Sequence, residues 1–160
     1  MHFEGKFEVA AGRERVYEFL TDPRGVATLL PDVESVQVIN QTNFTARARV
    51  GISYMKGSVN SKFEIQERKL NSSAKIVGRG TGIQSTIDLS MTISLEDGPQ
   101  GSTVIKWAAD VNVGGLLASV GNRLLGSTAE KYIMRVSDNI KRNFSESLTR
   151  TNNSRHPSTL

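Results

Sequence analysis

The chain contains 160 residues, carries a formal net charge of +4 and has no cysteine. This length predicts one domain that can bury a core, and the lack of cysteine excludes disulfides and thiolate metal sites. Residues 1–14 lack the apolar stretch of a signal peptide, and no window approaches the roughly 20 apolar residues of a membrane span. We therefore expect a cytoplasmic protein, which could at most make peripheral contact with the inner membrane face.

The first part of the chain predicts one strand and two short helices. Apolar and polar residues alternate strictly over residues 2–10, which is typical of a half-buried strand. Residues 12–20 and then residues 24–30 have the spacing of short helices. These helices end near Pro23 and Pro31, because the residue before a proline is pushed away from the helical conformation.

The middle of the chain predicts six further strands, because apolar and polar residues alternate between turn signals. The strands are expected over residues 33–40, 43–54, 59–65, 74–82, 83–95 and 103–113. The turns are expected at Lys56-Gly57, Asn71-Ser72-Ser73 and Asp97-Gly98-Pro99. Strands that are linked by hairpins and have one polar face are typical of an antiparallel sheet.

The last part of the chain predicts one long helix. From Leu116 to about Leu148 apolar residues recur every four positions, whereas residues 149–160 have no such period and are expected to be disordered. We therefore predict an α+β fold over residues 1–148. In this fold two short helices follow the first strand of a curved seven-stranded antiparallel sheet, and the long C-terminal helix lies over that sheet.

The predicted inner face of the sheet mixes large apolar residues with many small ones. Interiors pack densely, so small residues either face large partners or leave a space, and an apolar space of this kind can bind a ligand. Small residues can instead simply let strands bend, and both interpretations stay open. We expect a hydrophobic cavity lined by Phe44, Ala48, Tyr54, Phe63, Ile87, Leu89, Met91 and Trp107 from the sheet and by Gly121, Leu124 and Leu125 from the helix.

Polar groups expected in this cavity are the hydroxyls of Tyr54, Ser61 and Ser85 and the indole N–H of Trp107. Gly121 and Gly126 interrupt the helical pattern, and a glycine inside a helix costs roughly 1 kcal/mol relative to alanine. On the cavity hypothesis, Gly121→Leu would fill the space without loss of stability.

A series of short motifs runs through nearly all of residues 1–148. They are Gly5, Arg15-Val16-Tyr17, Leu20-Thr21-Asp22-Pro23, Leu29-Leu30-Pro31, Lys56-Gly57, Gly78-Arg79-Gly80-Thr81-Gly82, Gly101-Ser102-Thr103, Gly114-Gly115-Leu116-Leu117-Ala118, Gly121 and Arg123-Leu124-Leu125. In their order and spacing these motifs resemble the CoxG family of carbon monoxide dehydrogenase subunits, within the START-like helix-grip (SRPBCC) superfamily.

This resemblance implies a cavity between sheet and helix, and an accessory protein that carries a lipid or quinone for a molybdenum-containing carbon monoxide dehydrogenase at the membrane. Two features depart from the family's pattern. Asp32 stands where the family usually has glycine after Leu-Pro, which is expected to alter the loop near the cavity mouth. The chain also ends in a polar segment soon after Arg150, where many bacterial relatives extend towards a membrane-associating tail.

A small enzyme is the first alternative, because some helix-grip relatives are cyclases or hydrolases that use the same cavity. His2 and His156 lie near opposite ends of the chain, which disfavours a Ser-His-Asp triad. Asp88 and Asp110 fall on outward positions, and we find no metal-ligand spacing. The glycine-rich residues 78–82 lack the Lys-Ser/Thr of a phosphate loop. The sequence thus predicts no catalytic residue, no metal and no cofactor.

A nucleic-acid-binding module is the second alternative. Arg47, Arg49 and Lys62 are expected on the outer face of neighbouring strands, where they could meet nucleic acid, an acidic protein or anionic lipid headgroups. No aromatic residues alternate with them to stack on bases, which disfavours nucleic acid.

Overall fold

The structure is a computed structural model that describes the backbone of residues 1–155 and the side chains of residues 1–145. Seven strands form one sheet: β1 (His2–Val9), β2 (Val33–Val38), β3 (Asn43–Ile52), β4 (Met55–Lys69), β5 (Ser73–Gly82), β6 (Ser85–Asp97) and β7 (Thr103–Gly115). The α-helices are α1 (Arg13–Leu20), α2 (Pro23–Ala27) and α3 (Asn122–Arg155). The predicted fold class, an antiparallel sheet with two short helices after β1 and a long C-terminal helix, is confirmed.

The strands lie in the order β1-β7-β6-β5-β4-β3-β2. Strands β2 to β7 pair with their neighbours in the chain because turns or short loops join them, and β1 pairs with β7 at the far edge. The register places Phe44, Phe63, Gly78 and Leu89 in one row across the sheet. Since side chains alternate between the two faces, this row shares the face that α3 covers.

The turn between β3 and β4 lies earlier than the sequence predicted. Ile52 pairs with Met55, so Ser53 and Tyr54 form a two-residue turn, and Ser53 adopts a left-handed conformation with φ 57. The predicted turn at Lys56-Gly57 is wrong, because both residues pair with β3. Without a glycine or asparagine, the Ser-Tyr turn has no clear sequence signal.

The turn between β5 and β6 also differs from the prediction, because Ile83 does not belong to a strand. Gly82 pairs with Ser85, which leaves Ile83 and Gln84 as the turn residues. Both are left-handed, with φ 52 and φ 50, the conformation that a tight two-residue hairpin requires.

The long helix begins later than predicted. Strand β7 continues to Gly115, and Leu116–Val120 forms a 3-10 helix instead of the first turn of α3. Gly121 follows with φ 90 and ψ 157, a conformation that only glycine adopts readily. At its other end α3 extends to Arg155, beyond the predicted end near Leu148. Residues 156–160 of the expected disordered tail lie outside the described residues.

Two clusters of buried apolar side chains join the sheet to the helices. The hairpin cluster, Ile52, Met55, Leu117 and Leu125, holds the β3–β4 turn against the 3-10 helix and the first turn of α3. The basal cluster joins α1, α2 and the later part of α3 to the sheet, and its buried members are Val9, Ala11, Val16, Leu20, Val26, Ala27, Leu29, Phe44, Ile65, Ala74, Ile76, Ile93, Leu95, Ile105, Ile140 and Phe144. Leu125 and Ile140 lie about 22 Å apart along the helix axis.

Candidate functional site

A gap separates α3 from the sheet between the two clusters. On β6, Ile93 and Leu95 are buried in the basal cluster, whereas Ile87, Leu89 and Met91 are only partly buried. All five lie on the same face of an interior strand. Side chains there stay accessible only where the covering helix leaves space. We call this space the gap, and it is apolar on its sheet side.

The helix turns a glycine towards this gap. Gly126, Ala129, Ile133, Val136 and Ile140 follow the three- and four-residue spacing that places side chains on one helix face. Ile140 is buried in the basal cluster and Val136 packs against it, so this face is turned to the sheet. A Cβ added at Gly126 would meet no atom within 4 Å. The beginning of α3 therefore stands back from the sheet.

The glycines of the sheet do not create this space. A Cβ at Gly5 would lie 2.9 Å from the Trp107 indole, and one at Gly78 would lie 2.8 Å from the Phe63 ring. At Gly80 a Cβ would lie 2.8 Å from both the Ser61 hydroxyl and Val59. These small residues are filled by large neighbours on the adjacent strand, so the sheet glycines were the wrong reason to expect a space.

Most sheet residues of the predicted cavity lie on the face that α3 covers. These residues are Phe44, Ala48, Phe63, Ile87, Leu89, Met91 and Trp107. Phe44 is fully buried and stacks on Phe63, with ring centroids 4.9 Å apart and planes 16° apart. Phe63 is the partly buried ring of this pair, so it can border the gap while Phe44 supports it from below.

The remaining predicted cavity residues lie elsewhere. Tyr54 is 84% exposed because it sits in the β3–β4 turn, and Leu124 is 39% exposed on α3. Leu125 is buried in the hairpin cluster. Gly121 lies before α3, and its backbone conformation explains the glycine without any ligand. Tyr54, Leu124 and Gly121 are thus corrections to the predicted cavity lining.

Two of the expected polar groups have different environments. The Ser85 hydroxyl donates to the Ile83 carbonyl and accepts from the Leu117 N–H, both at 2.8 Å, so it anchors the 3-10 helix. Within residues 1–145 the Trp107 indole N–H has no hydrogen-bond partner and is not fully enclosed. Trp107 is therefore the better candidate to donate to a ligand.

Sequence reasoning missed Tyr132, which lies beside the loop between α2 and β2. Protein packed around its phenol raises the pKa of Tyr132 to about 12, although 40% of the residue is exposed. Arg135 acts against this shift, and Asp32 adds to it. The phenol therefore stays protonated at neutral pH and can donate a hydrogen bond.

The loop between α2 and β2 is fastened to α3 by side chains. Arg135 donates to both carboxylate oxygens of Asp32, at 2.8 and 3.1 Å, and Asn139 donates to the Leu29 carbonyl at 3.0 Å. The Arg135 hydrogen bonds lower the pKa of the Asp32 carboxyl. Asp32 has φ 58, which explains why glycine suits this position and why aspartate can replace it. Here the aspartate links loop to helix.

The outer face of the sheet is less basic than expected. Glu34 lies 3.3 Å from Arg47 and 3.9 Å from Arg49. Hydrogen bonds from Ser58 and Arg47 lower the pKa of Glu34, so the carboxylate stays charged beside both arginines. The prediction of an open basic face at Arg47 and Arg49 is therefore wrong, which weakens the nucleic-acid alternative. A groove of about 310 Å³ on the same outer face has both Glu67 and Lys75 in its lining.

The catalytic inventory on this face is also limited. The ring nitrogens of His2 lie 2.8 Å from Asp110 and 3.2 Å from Glu4, and both hydrogen bonds raise the pKa of His2. Both ring nitrogens are thus occupied by carboxylates on an exposed surface. Among the residues that the structure describes, no group of three His, Asp or Glu side chains could hold a metal ion.

Comparison with known proteins agrees with this architecture. A solved structure of a conserved protein from Geobacillus kaustophilus superposes with a TM-score of 0.83 at 23% identity, over 92% of this chain and 97% of that one. The Zhui aromatase/cyclase from Streptomyces sp. R1128 has a TM-score of 0.68 at 16% identity, over 92% and 95%. A START superfamily protein from Mycobacterium smegmatis has a TM-score of 0.67 at 14% identity, over 91% and 97%.

These identities establish the START-like helix-grip fold and nothing finer. No curated protein sequence matches the chain. The model of the CoxG family of carbon monoxide dehydrogenase subunits matches residues 5–145, which include nearly the whole sheet and the part of α3 that borders the gap. The chain belongs to the CoxG family of carbon monoxide dehydrogenase subunits.

Proposed function

We propose that the chain binds a hydrophobic small molecule, a lipid or quinone-like compound, in the gap between α3 and the sheet. The main support is the partial exposure of Ile87, Leu89 and Met91 on the covered face of an interior strand, opposite the open position at Gly126. Binding sites for such molecules are mostly apolar with a few polar groups. Trp107 and Tyr132 are the candidate hydrogen-bond donors at this site.

As a carrier, the protein would serve as an accessory to a molybdenum-containing carbon monoxide dehydrogenase. The family's description as a subunit of carbon monoxide dehydrogenase supports this partner. A carrier of lipid or quinone also needs access to a membrane, so peripheral contact with an anionic bilayer belongs to the same proposal. Within residues 1–155, no helix is long and apolar enough to cross a bilayer.

The competing function is a cyclase- or hydrolase-type enzyme that uses the same gap. One protein of similar fold is an aromatase/cyclase. Against catalysis, the partly buried side chains that face the gap in residues 1–145 include no carboxylate and no imidazole. General acid–base catalysis most often uses those groups, so the carrier is the better supported function.

Native mass spectrometry before and after organic extraction tests this proposal. We expect protein purified from bacterial cells to carry one extractable hydrophobic molecule per chain, and the extracted protein to take up decylubiquinone or oleate. Protein that is always empty and binds neither probe would contradict the proposal. If empty protein instead turned over a polyketide-type substrate, the enzyme would be the better answer. A salt-sensitive gel shift with DNA or RNA would favour the nucleic-acid alternative.

A further inference from the structure

Three chain segments come together at the end of the molecule that the hairpin cluster holds. They are the β3–β4 turn, the β5–β6 turn, and the 3-10 helix with the first turn of α3. Burial of Met55 against Leu117 and Leu125 brings the first and third together, and Ile83 of the second packs on the same cluster. A Cβ at Gly57 would lie 2.9 Å from Ile83, which shows how closely the two turns meet. We call this end the hairpin-end surface.

Large apolar side chains project from each side of this surface into solvent. Tyr54 is 84% exposed at the tip of the β3–β4 turn, and Leu116 and Leu124 are 40% and 39% exposed. Each directly adjoins a buried member of the hairpin cluster, so the segments that carry the exposed tips are firmly anchored. Exposed apolar residues on rigid, adjacent loops are typical of a surface that contacts something apolar.

The charges of this surface have one sign. Residues 50–58, 81–87 and 111–129 contain no aspartate or glutamate. Lys56 and Arg123 are exposed there, and neither has an ion-pair partner among the described side chains. Apolar tips flanked by unpaired basic residues fit an anionic lipid surface, where tyrosine and leucine enter the headgroup region and the cations meet phosphates.

The opposite end of the sheet offers a comparison. Leu70, in the β4–β5 turn, is 79% exposed, nearly as much as Tyr54. Arg13 nearby is paired with Asp97 at 2.7 Å, and Glu67 lies within the same stretch of chain. That end has an apolar tip as well, but its charges are mixed and partly paired. Of these two ends, the hairpin-end surface is the one that combines apolar tips with charge complementary to an anionic bilayer.

We propose that the hairpin-end surface, formed by Tyr54, Leu116, Leu124, Lys56 and Arg123, docks the protein on anionic lipid bilayers. The gap begins directly behind it, since Gly126 follows Leu125 of the hairpin cluster. Docking in this orientation would place the open part of the gap next to the headgroups. The use of docking for ligand exchange rests on the proposed function, whereas the docking itself does not.

Vesicle flotation tests this surface. We expect wild-type protein to float with phosphatidylcholine vesicles that contain phosphatidylglycerol, and to bind far less to phosphatidylcholine alone or at high salt. Tyr54→Ser with Leu116→Ser should abolish flotation, whereas Leu70→Ser, matched in exposure and turn position, should leave it unchanged. Removal of the basic residues, by Lys56→Gln and Arg123→Gln, should weaken binding about fivefold for each residue.

The matched charge control is Lys62→Gln with Lys75→Gln on the outer face of the sheet, which should bind like wild type. Circular dichroism and thermal unfolding verify that each variant is folded. Lack of flotation by wild type, or equal losses in the variants and their controls, would overturn the proposal. In the former case the exposed tips would be available for contact with a protein.

Uptake of decylubiquinone from detergent solution, measured in parallel by native mass spectrometry, separates the two proposals. Quinone uptake without flotation would refute the docking surface alone. Flotation that depends on Tyr54 and Leu116, without any uptake of quinone or oleate, would refute the carrier function and leave the docking surface intact.

Discussion

At the residue scale, two glycines five positions apart have different reasons to be there. Gly121 has φ 90 and ψ 157 between the 3-10 helix and α3, a backbone conformation that a side chain opposes. Gly126 lies within α3 in ordinary helical conformation, and a Cβ there would meet nothing within 4 Å. Only Gly126 is therefore informative about the gap. Its neighbourhood, not its backbone, leaves room.

A pair of leucine substitutions separates these two reasons. Gly126→Leu should raise the free energy of unfolding by about 0.5–1 kcal/mol, because leucine favours helix over glycine, and should reduce ligand uptake by filling the gap. Gly121→Leu should lower the free energy of unfolding by about 1–3 kcal/mol through backbone strain. Urea unfolding and native mass spectrometry measure both effects. A destabilised Gly126→Leu protein would mean that α3 packs closely on the sheet there.

At the element scale, the loop between α2 and β2 bridges the sheet and the helix. The Asp32 carbonyl accepts from the Arg49 N–H of β3 at 3.0 Å, while its carboxylate accepts from Arg135 of α3. Asn139 holds the Leu29 carbonyl one helical turn further on. This loop therefore closes one flank of α3, close to Tyr132.

Hydrogen–deuterium exchange tests this bridge. Arg135→Gln removes the charged hydrogen bonds to Asp32, so amide exchange should become faster in residues 29–33 and at the Arg49 N–H. Arg142→Gln, another exposed arginine on α3 without an ion pair among the described residues, serves as the control. Equal exchange in wild type and Arg135→Gln would show that the ion pair does not hold the loop.

At the scale of the whole molecule, the sequence predicts the fold well because its signals are long. The alternation in β6 and the four-residue period of α3 each extend over a dozen residues or more, so the element types follow from periodicity. Turns are shorter and depend on single φ angles. The left-handed Ser53 and Ile83 carry no glycine signal, so the turns at Tyr54 and Gln84 were misplaced.

The candidate site was less predictable because periodicity gives the face of a residue but not the distance to what lies above it. Ile87, Leu89 and Met91 were placed on the correct face, and their partial exposure depends on how far α3 stands from the sheet. The small residues Gly5 and Gly78 suggested a space, but Trp107 and Phe63 fill it. Tyr132 could not be assigned, because its position beside Asp32 depends on contacts between residues a hundred positions apart.

The most direct test of a ligand site in the gap is methyl NMR during titration of extracted protein with decylubiquinone and, separately, oleate. The methyl resonances of Ile87, Leu89 and Met91 should shift together and saturate at one ligand per chain, while those of Val77 on the outer face and Leu70 in the β4–β5 turn stay unchanged. Saturable shifts at Val77 with none at Leu89 and Met91, or no saturable shift with either probe, would contradict the account.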